Sequence, residues 1–203
     1  MHSIASLSAH AVPRPAPQPA SKLRALPLAK MHTRLRLPSQ HEGLLCEARN
    51  PGELLALLRE RSLMEPSIAL LSYALPEREA VWWACMCVEH TASVAFPSEQ
   101  QRALTVAQAW VWQPTEKRRY DAAAAAKGAG YVSAAAYAAR AAFAARLDDA
   151  HSLRAGRRTE TAIRLAATWD GTERTRARLR RFLVSGLEIN AGGAGRLPAE
   201  ATL

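Results

Sequence analysis

Hydrophobic residues recur at helical spacing along most of the chain after residue 40, and no strand-like alternation of useful length interrupts them. The segment Asn50-Pro51-Gly52-Glu53 has the form of a capping box, with Asn50 as the cap, proline in the first helical position and Glu53 in the third. Proline also marks further expected helix starts, because its missing amide hydrogen has no partner in a first helical turn. These prolines are Pro66, Pro76, Pro97 and Pro114.

Alanine dominates residues 121–149, and Gly128 and Gly130 interrupt the run. Alanine is the strongest helix former, whereas glycine commonly ends a helix, so one helix is predicted on each side of the two glycines. Two more helices are predicted over about 159–169 and 172–187. The whole pattern predicts an all-α fold, a bundle or a short array of about eight helices.

The composition divides the chain into three parts. Residues 1–40 are rich in proline, alanine and basic groups and carry "VPRPAPQP" at 12–19, which predicts a disordered extension. A transit peptide, or a true start at Met31, are the alternatives. Residues 41–188 are predicted to form a single all-α domain, and the glycine-rich residues 189–203 a flexible tail.

The net charge of +9 raises the question of nucleic-acid binding. Residues 1–41 contribute +6, residues 42–153 contribute −2 and residues 154–203 contribute +5. Nucleic-acid-binding domains concentrate basic groups on a folded face, whereas the body of this chain is mildly acidic. The charge distribution therefore disfavours a nucleic-acid-binding domain. No apolar run approaches the 18 residues of a membrane span.

Cys85, Cys87 and His90 lie close together in "VWWACMCVEH" and suggest a possible metal or redox site. In a helix each residue advances by about 100°, so the two thiols point about 200° apart and cannot bind one ion together. Cys87 and His90 share a face, but a structural zinc ion needs four ligands. The cysteines are therefore predicted to pack in the core, and neither a metal nor a cofactor is expected. Their odd count, with Cys46, favours reduced thiols and a cytoplasmic location.

The two tryptophans of this stretch are predicted to face different surroundings. Trp83 falls on an apolar arc, whereas Trp82 lies at its boundary near Arg78 and Glu89. Arg78 precedes Trp82 by four residues, so its guanidinium can lie over the indole. Trp82 either covers an adjoining helix or, with Arg78 and Glu89, anchors a protein partner. The other tryptophans are predicted to be packing residues: Trp110, Trp112 and Trp169.

The stretch "ALPEREAVWWACMCVEH", followed by "PSEQQRALTVAQAWV" and an alanine-rich helix pair, resembles an uncharacterised bacterial domain family. Members of that family share an "LP-x-REAVWWA" core and often lie near type VI secretion genes. The resemblance covers residues 68–149 and implies a bacterial accessory protein. The family has no assigned activity, so the resemblance implies no catalytic residues.

The sequence offers little support for an enzyme. It contains no nucleophile elbow, phosphate-binding loop, dinucleotide fingerprint or zinc-protease motif. Asp148, Asp149 and His151 form a tight polar cluster, but they follow a predicted helix and are expected to be a solvated terminus. A non-enzymatic interaction protein is therefore predicted.

The last predicted helix provides an alternative function. Leu179, Phe182, Leu183 and Leu187 form an apolar stripe, and arginines, among them Arg176 and Arg180, flank it. Docking of the stripe on the bundle with a solvated arginine fringe is the favoured interpretation. One alternative is that this helix, with Arg176 and Arg180, binds a protein partner; another is that these arginines bind nucleic acid or another anionic surface.

Overall fold

The computed structural model describes residues 21–91, 96–146, 153–169 and 171–198. Within these residues the secondary structure is helical, with two short 3₁₀ turns, Leu28–Met31 and Ser39–His41, near the amino-terminal end. The ten α-helices are α1 His32–Leu35, α2 Leu44–Glu47, α3 Pro51–Glu60, α4 Met64–Ala74, α5 Glu77–Thr91, α6 Ser98–Trp112, α7 Glu116–Gly128, α8 Ala134–Ala144, α9 Leu153–Ala167 and α10 Thr175–Asn190. The all-α prediction is confirmed, and the eight longer helices, α3 to α10, follow the predicted order.

Side-chain caps define several helix starts. The Asn50 side chain accepts a hydrogen bond from the Glu53 amide at 2.9 Å, and the Glu53 carboxylate accepts one from the Arg49 amide at 2.9 Å. Thr115 and Ser133 cap α7 and α8 in the same way. These contacts satisfy amide groups that have no partner in the first helical turn, so the local sequence sets these boundaries.

Helices α4 and α5 form the centre of the core. Every residue of α4 from Pro66 to Ala74 is buried, and α5 packs against α4, α6, α8, α9 and α10. The alanine-rich face of α8 packs closely on α9, because small side chains allow two helices to approach each other. Among the described residues, no helix has the length and apolarity needed to cross a membrane.

The predicted boundary of the amino-terminal extension at residue 40 is wrong for residues 21–40. The Arg24 amide donates to the Ala74 carbonyl at 2.8 Å, and the Lys22 amide donates to the Asn190 carbonyl at 3.1 Å. Apolar side chains of this segment are buried in the core: Leu26, Leu28, Met31, Leu35 and Leu37. The physical reason is burial of these side chains against the bundle, which compensates for the entropy of ordering the segment.

The predicted tail also begins too early. Helix α10 continues to Asn190, and the chain then turns through the left-handed residues Gly192 (φ 90°) and Gly195 (φ 72°). The Ser185 hydroxyl donates to the Gly195 carbonyl, and Arg181 Nε donates to the Pro198 carbonyl at 2.7 Å. Residues 191–198 therefore fold back along α10, which the glycines permit.

Helix α9 begins at Leu153, six residues before its predicted start. The residues just before 159, which include three arginines and Gly156, lie outside the range predicted for this helix. Gly156 is buried against Tyr73 of α4, where a Cβ atom would lie 2.6 Å from the ring. The glycine thus allows the close approach of α9 to α4 and lies inside the helix for that reason.

Candidate functional site

A groove on the surface joins the first half of α5 to the end of α6 and to the residues around the end of α10. Its volume is about 340 Å³. We call it the tryptophan groove, and its lining residues are Lys22, Arg78, Glu79, Trp82, Val111, Trp112, Ile189, Gly193 and Ala194. Arg78 and Trp82 are one helical turn apart on α5, so the helix itself presents both to the same groove.

Two tryptophans form the aromatic part of this groove. The rings of Trp82 and Trp112 meet edge to face, with their centroids 5.7 Å apart. Trp82 is half-buried, and its indole N–H lies 3.5 Å from the Ala194 carbonyl. Trp112, the last residue of α6, is 70% exposed. The prediction that Trp112 is a packing residue is therefore wrong, since most of its indole faces solvent.

Charged side chains surround the two tryptophans. Arg78 Nε donates a 2.7 Å hydrogen bond to the Val111 carbonyl, and this contact fixes the guanidinium beside the end of α6. The predicted placement of the Arg78 guanidinium over the Trp82 ring is not found among the contacts of the described residues. Lys22 Nζ lies 3.7 Å from Glu79 Oε1. The groove therefore combines an exposed aromatic surface with cationic groups held at its edge.

Glu89 is separate from this groove. It lies two helical turns beyond Trp82, and its carboxylate accepts a hydrogen bond from the Gln108 side chain at 3.1 Å. Its proximity also contributes to raising the pKa of the Cys85 thiol, although burial is the larger cause. Of the three residues predicted to bind a partner on α5, the structure thus brings Arg78 and Trp82 together and gives Glu89 a structural contact with α6.

Arg176 and Arg180 line a different groove of about 370 Å³ between α10 and the α3–α4 connection. Arg59 from α3 joins them, and two serines, Ser62 and Ser67, also line the groove. The remaining wall residues are apolar: Leu63, Met64, Leu183, Val184 and Leu187. In the described part of the chain, none of the three arginines forms an ion pair with a carboxylate. Phe182, on the apolar stripe of α10, is fully buried, so the predicted docking of this stripe is confirmed.

The other residues of the α5 stretch belong to the core. Trp83, Cys85 and Cys87 are fully buried, which confirms their predicted packing, and burial raises the pKa of both thiols. Trp83 Nε1 donates to the Phe182 carbonyl at 3.0 Å. No cluster of three potential metal ligands occurs among the residues that the structure describes. Asp148, Asp149 and His151 lie outside the described residues.

Sequence reasoning missed Trp112, Lys22 and Arg59 as parts of these grooves. Each is far in sequence from the residues that it joins, so helical spacing alone carries no signal for it. One local feature of the sequence could have indicated that Trp112 is exposed. It lies in the last helical turn before Gln113-Pro114, where a helix leaves the core.

Comparison with known proteins gives a family but no activity. No curated protein and no solved structure shows a significant match to the chain. Residues 54–190 match the model of DUF6931, a family of unknown function, and this range includes α4 to α10 with both tryptophans of the groove. The match spans most of the chain, and the protein therefore belongs to the DUF6931 family.

Proposed function

We propose that this protein is a non-enzymatic interaction protein that binds another protein through the tryptophan groove. The observation that carries the proposal is the pair formed by Trp82 and Trp112, whose rings are in contact while Trp112 remains 70% exposed. Covering this indole pair with a partner would remove a large apolar surface from water, which favours binding at this groove. Tryptophan and arginine are also the residue types that contribute most to binding energy at protein interfaces.

The chemistry of the groove defines the partner segment. The indoles fit an apolar or proline-containing anchor, as aromatic-lined grooves do in peptide recognition. Arg78 uses Nε for the Val111 carbonyl, so its terminal nitrogens are available to a carboxylate of the partner. We therefore propose a partner segment in which an apolar anchor is followed or preceded by an acidic residue.

The biological setting belongs to the same proposal. The resemblance of residues 68–149 to proteins encoded near type VI secretion genes supports an accessory role in that process in bacteria. Buried reduced thiols, such as those of Cys85 and Cys87, are typical of proteins of the cytoplasm, and we propose that location.

Site-specific crosslinking in the native host tests this proposal. A photoreactive amino acid replaces Trp112 in one protein and Trp169 in a control protein. Trp169 is 39% exposed and meets the Phe96 ring edge to face, with the centroids 5.1 Å apart. It is therefore an accessible tryptophan that does not line the groove. We expect a protein adduct from position 112 that is absent from position 169. Identical adducts from both positions, or none from position 112, would refute the groove as the binding surface.

A second candidate function is binding of nucleic acid or another anionic surface through Arg176 and Arg180. It is supported by the grouping of these residues with Arg59 in one groove without a carboxylate partner in the described chain. The apolar wall of that groove argues against it, because a phosphate-binding surface is polar. Salt-dependent DNA binding that Arg176→Gln/Arg180→Gln abolishes would place this function first.

A further inference from the structure

A third surface feature, independent of both grooves, lies between α8 and α9. It is a recess of about 400 Å³, which we call the arginine recess, lined by Tyr137, Arg140, Arg154, Arg157, Arg158 and Thr161. The four residues from α9 are spaced i, i+3, i+4 and i+7, so they lie on one face of that helix. Tyr137 and Arg140 are spaced i, i+3 on α8, which packs extensively on α9. The helix pair thus brings four guanidiniums to one concave site.

Arg140 is held in place within this recess by two aromatic rings. The Arg140 guanidinium lies over the Tyr137 ring, 4.8 Å from its centroid, and 5.2 Å from the centroid of Tyr131. Arg158 is half-buried, and burial together with the neighbouring Arg140 guanidinium lowers the pKa of Arg158 below its ordinary value. Arg157 and Arg154 act in the same direction. Arg158 therefore lies partly shielded from water beside like charges, whereas Arg154 and Arg157 are exposed.

Little acidic charge offsets these arginines in the part of the chain that the structure describes: the Glu160 carboxylate interacts with Arg157 but forms no ion pair with it. Helix α8 contains no acidic residue, and the only one of α9 is Glu160. Glu160 is buried beside α4, where it accepts a hydrogen bond from the Tyr73 hydroxyl at 3.3 Å. None of the four arginines forms an ion pair with a described carboxylate. An anion from solution would supply the missing charge.

The chemistry of the recess selects the type of anion. A guanidinium can donate two parallel hydrogen bonds to a phosphate group, and Tyr137 adds a further polar side chain to the wall. The Thr161 hydroxyl already donates to the Arg157 carbonyl at 2.9 Å. One phosphate carries about −1.5 to −2 charges at neutral pH, so two linked phosphates balance four arginines better than one does. A nucleic acid would need phosphate contacts spread along a surface, whereas this recess is local and concave. We propose that the arginine recess binds a small ligand with two or more linked phosphate groups.

Titration of the full chain with pyrophosphate tests this inference. Binding is measured by calorimetry and by the melting temperature at constant ionic strength, with orthophosphate as the comparison anion. We expect pyrophosphate to bind more tightly than orthophosphate and to raise the melting temperature. In Arg140→Gln/Arg158→Gln, the affinity for pyrophosphate should fall by at least about tenfold. The melting temperature of the unliganded variant should stay the same or rise, because the substitutions relieve repulsion between like charges.

The matched control is Arg61→Gln/Arg102→Gln, which removes the same number of positive charges from two exposed positions outside the recess and both grooves. Its affinity for pyrophosphate should stay within about twofold of the unmodified protein. Equal loss in both variants would overturn the inference by showing non-specific attraction to a basic protein. Absence of binding at millimolar pyrophosphate would also overturn it. The inference would also be overturned if Asp148→Asn/Asp149→Asn bound pyrophosphate and the unmodified protein did not. That result would show that the chain's own carboxylates neutralise the arginines.

Discussion

The contact between α5 and α10 can be tested by removing the side chain on which it depends. Trp83 is fully buried, and its indole N–H donates to the Phe182 carbonyl of α10 at 3.0 Å. Gly186, one turn further along α10, lies so close that a Cβ atom there would be 2.6 Å from the Trp83 ring. The helix therefore rests directly on the indole, and the space left by Trp83→Ala would be a cavity between two helices.

The expected loss of stability follows from these contacts. Replacement of a buried tryptophan by alanine costs about 3–5 kcal/mol, and loss of the hydrogen bond adds about 0.5–1.5 kcal/mol. For a chain of this length, a loss of about 3.5–6.5 kcal/mol corresponds to a decrease in melting temperature of roughly 7–26 °C. Trp112→Ala is the control, because this tryptophan is 70% exposed and should change the stability by less than about 0.5 kcal/mol.

Circular dichroism during thermal and urea unfolding measures both variants. If Trp83→Ala does not fold, Trp83→Phe provides the test, since it keeps an aromatic ring but loses the N–H donor. The free energy of unfolding of Trp83→Phe should be positive but lower than that of the unmodified protein. A loss below about 1 kcal/mol for Trp83→Ala, or equal losses for Trp83→Ala and Trp112→Ala, would contradict the proposed packing of α10.

Further predictions concern the rest of the core and are measured by the same unfolding experiments. A chain that begins at Ser39 should melt well below one that begins at Ser21, because it lacks the buried Leu26 to Leu37 segment; equal melting temperatures would show that this segment contributes nothing. Gly156→Ala should destabilise by about 1–3 kcal/mol, because its Cβ would meet the Ser72 carbonyl at 2.9 Å, whereas Gly128→Ala, which meets nothing within 4 Å, should be neutral or stabilising. Burial raises the pKa of the Glu160 carboxyl, so the folded state binds its proton more tightly than the unfolded state does, and stability falls as pH rises from the ordinary glutamate value through the raised pKa. Glu160→Gln should therefore have a higher free energy of unfolding than the unmodified protein at neutral pH, and this advantage should disappear below the ordinary glutamate pKa. A difference between the two proteins that does not change with pH would contradict this explanation.

The parts of the fold that the sequence predicted are those with local signals. Asn50, the prolines and the alanine-rich run act within one helical turn, so α3 to α8 could be placed from spacing and capping alone. Residues 21–38 could not, because their leucines follow no helical period and are ordered through tertiary contacts such as that of Arg24 with Ala74. The start of α9 at Leu153 could not be placed either, because the close approach of Gly156 to Tyr73 is not visible in the sequence.

The candidate sites likewise combine residues that local spacing predicts with residues that only the folded chain brings together. Arg78 and Trp82 could be paired from the sequence because they lie one turn apart on a single helix. Trp112 and Lys22 complete that groove, but Trp112 lies 30 residues after Trp82 and Lys22 lies 60 residues before it. Only the folded chain brings residues so far apart in sequence together. The arginine recess likewise joins Arg140 to Arg158 across a helix–helix contact.

The central claim is that the tryptophan groove binds a protein partner, and calorimetry with the purified partner tests it most directly. The partner is the protein that crosslinks from position 112, titrated into the unmodified chain, Trp112→Ala and Trp169→Ala. We predict that Trp112→Ala weakens binding by at least about 30-fold, as expected for a contact worth 2 kcal/mol or more, and that Trp169→Ala leaves the dissociation constant unchanged. Equal affinities for the unmodified chain and Trp112→Ala would contradict the account.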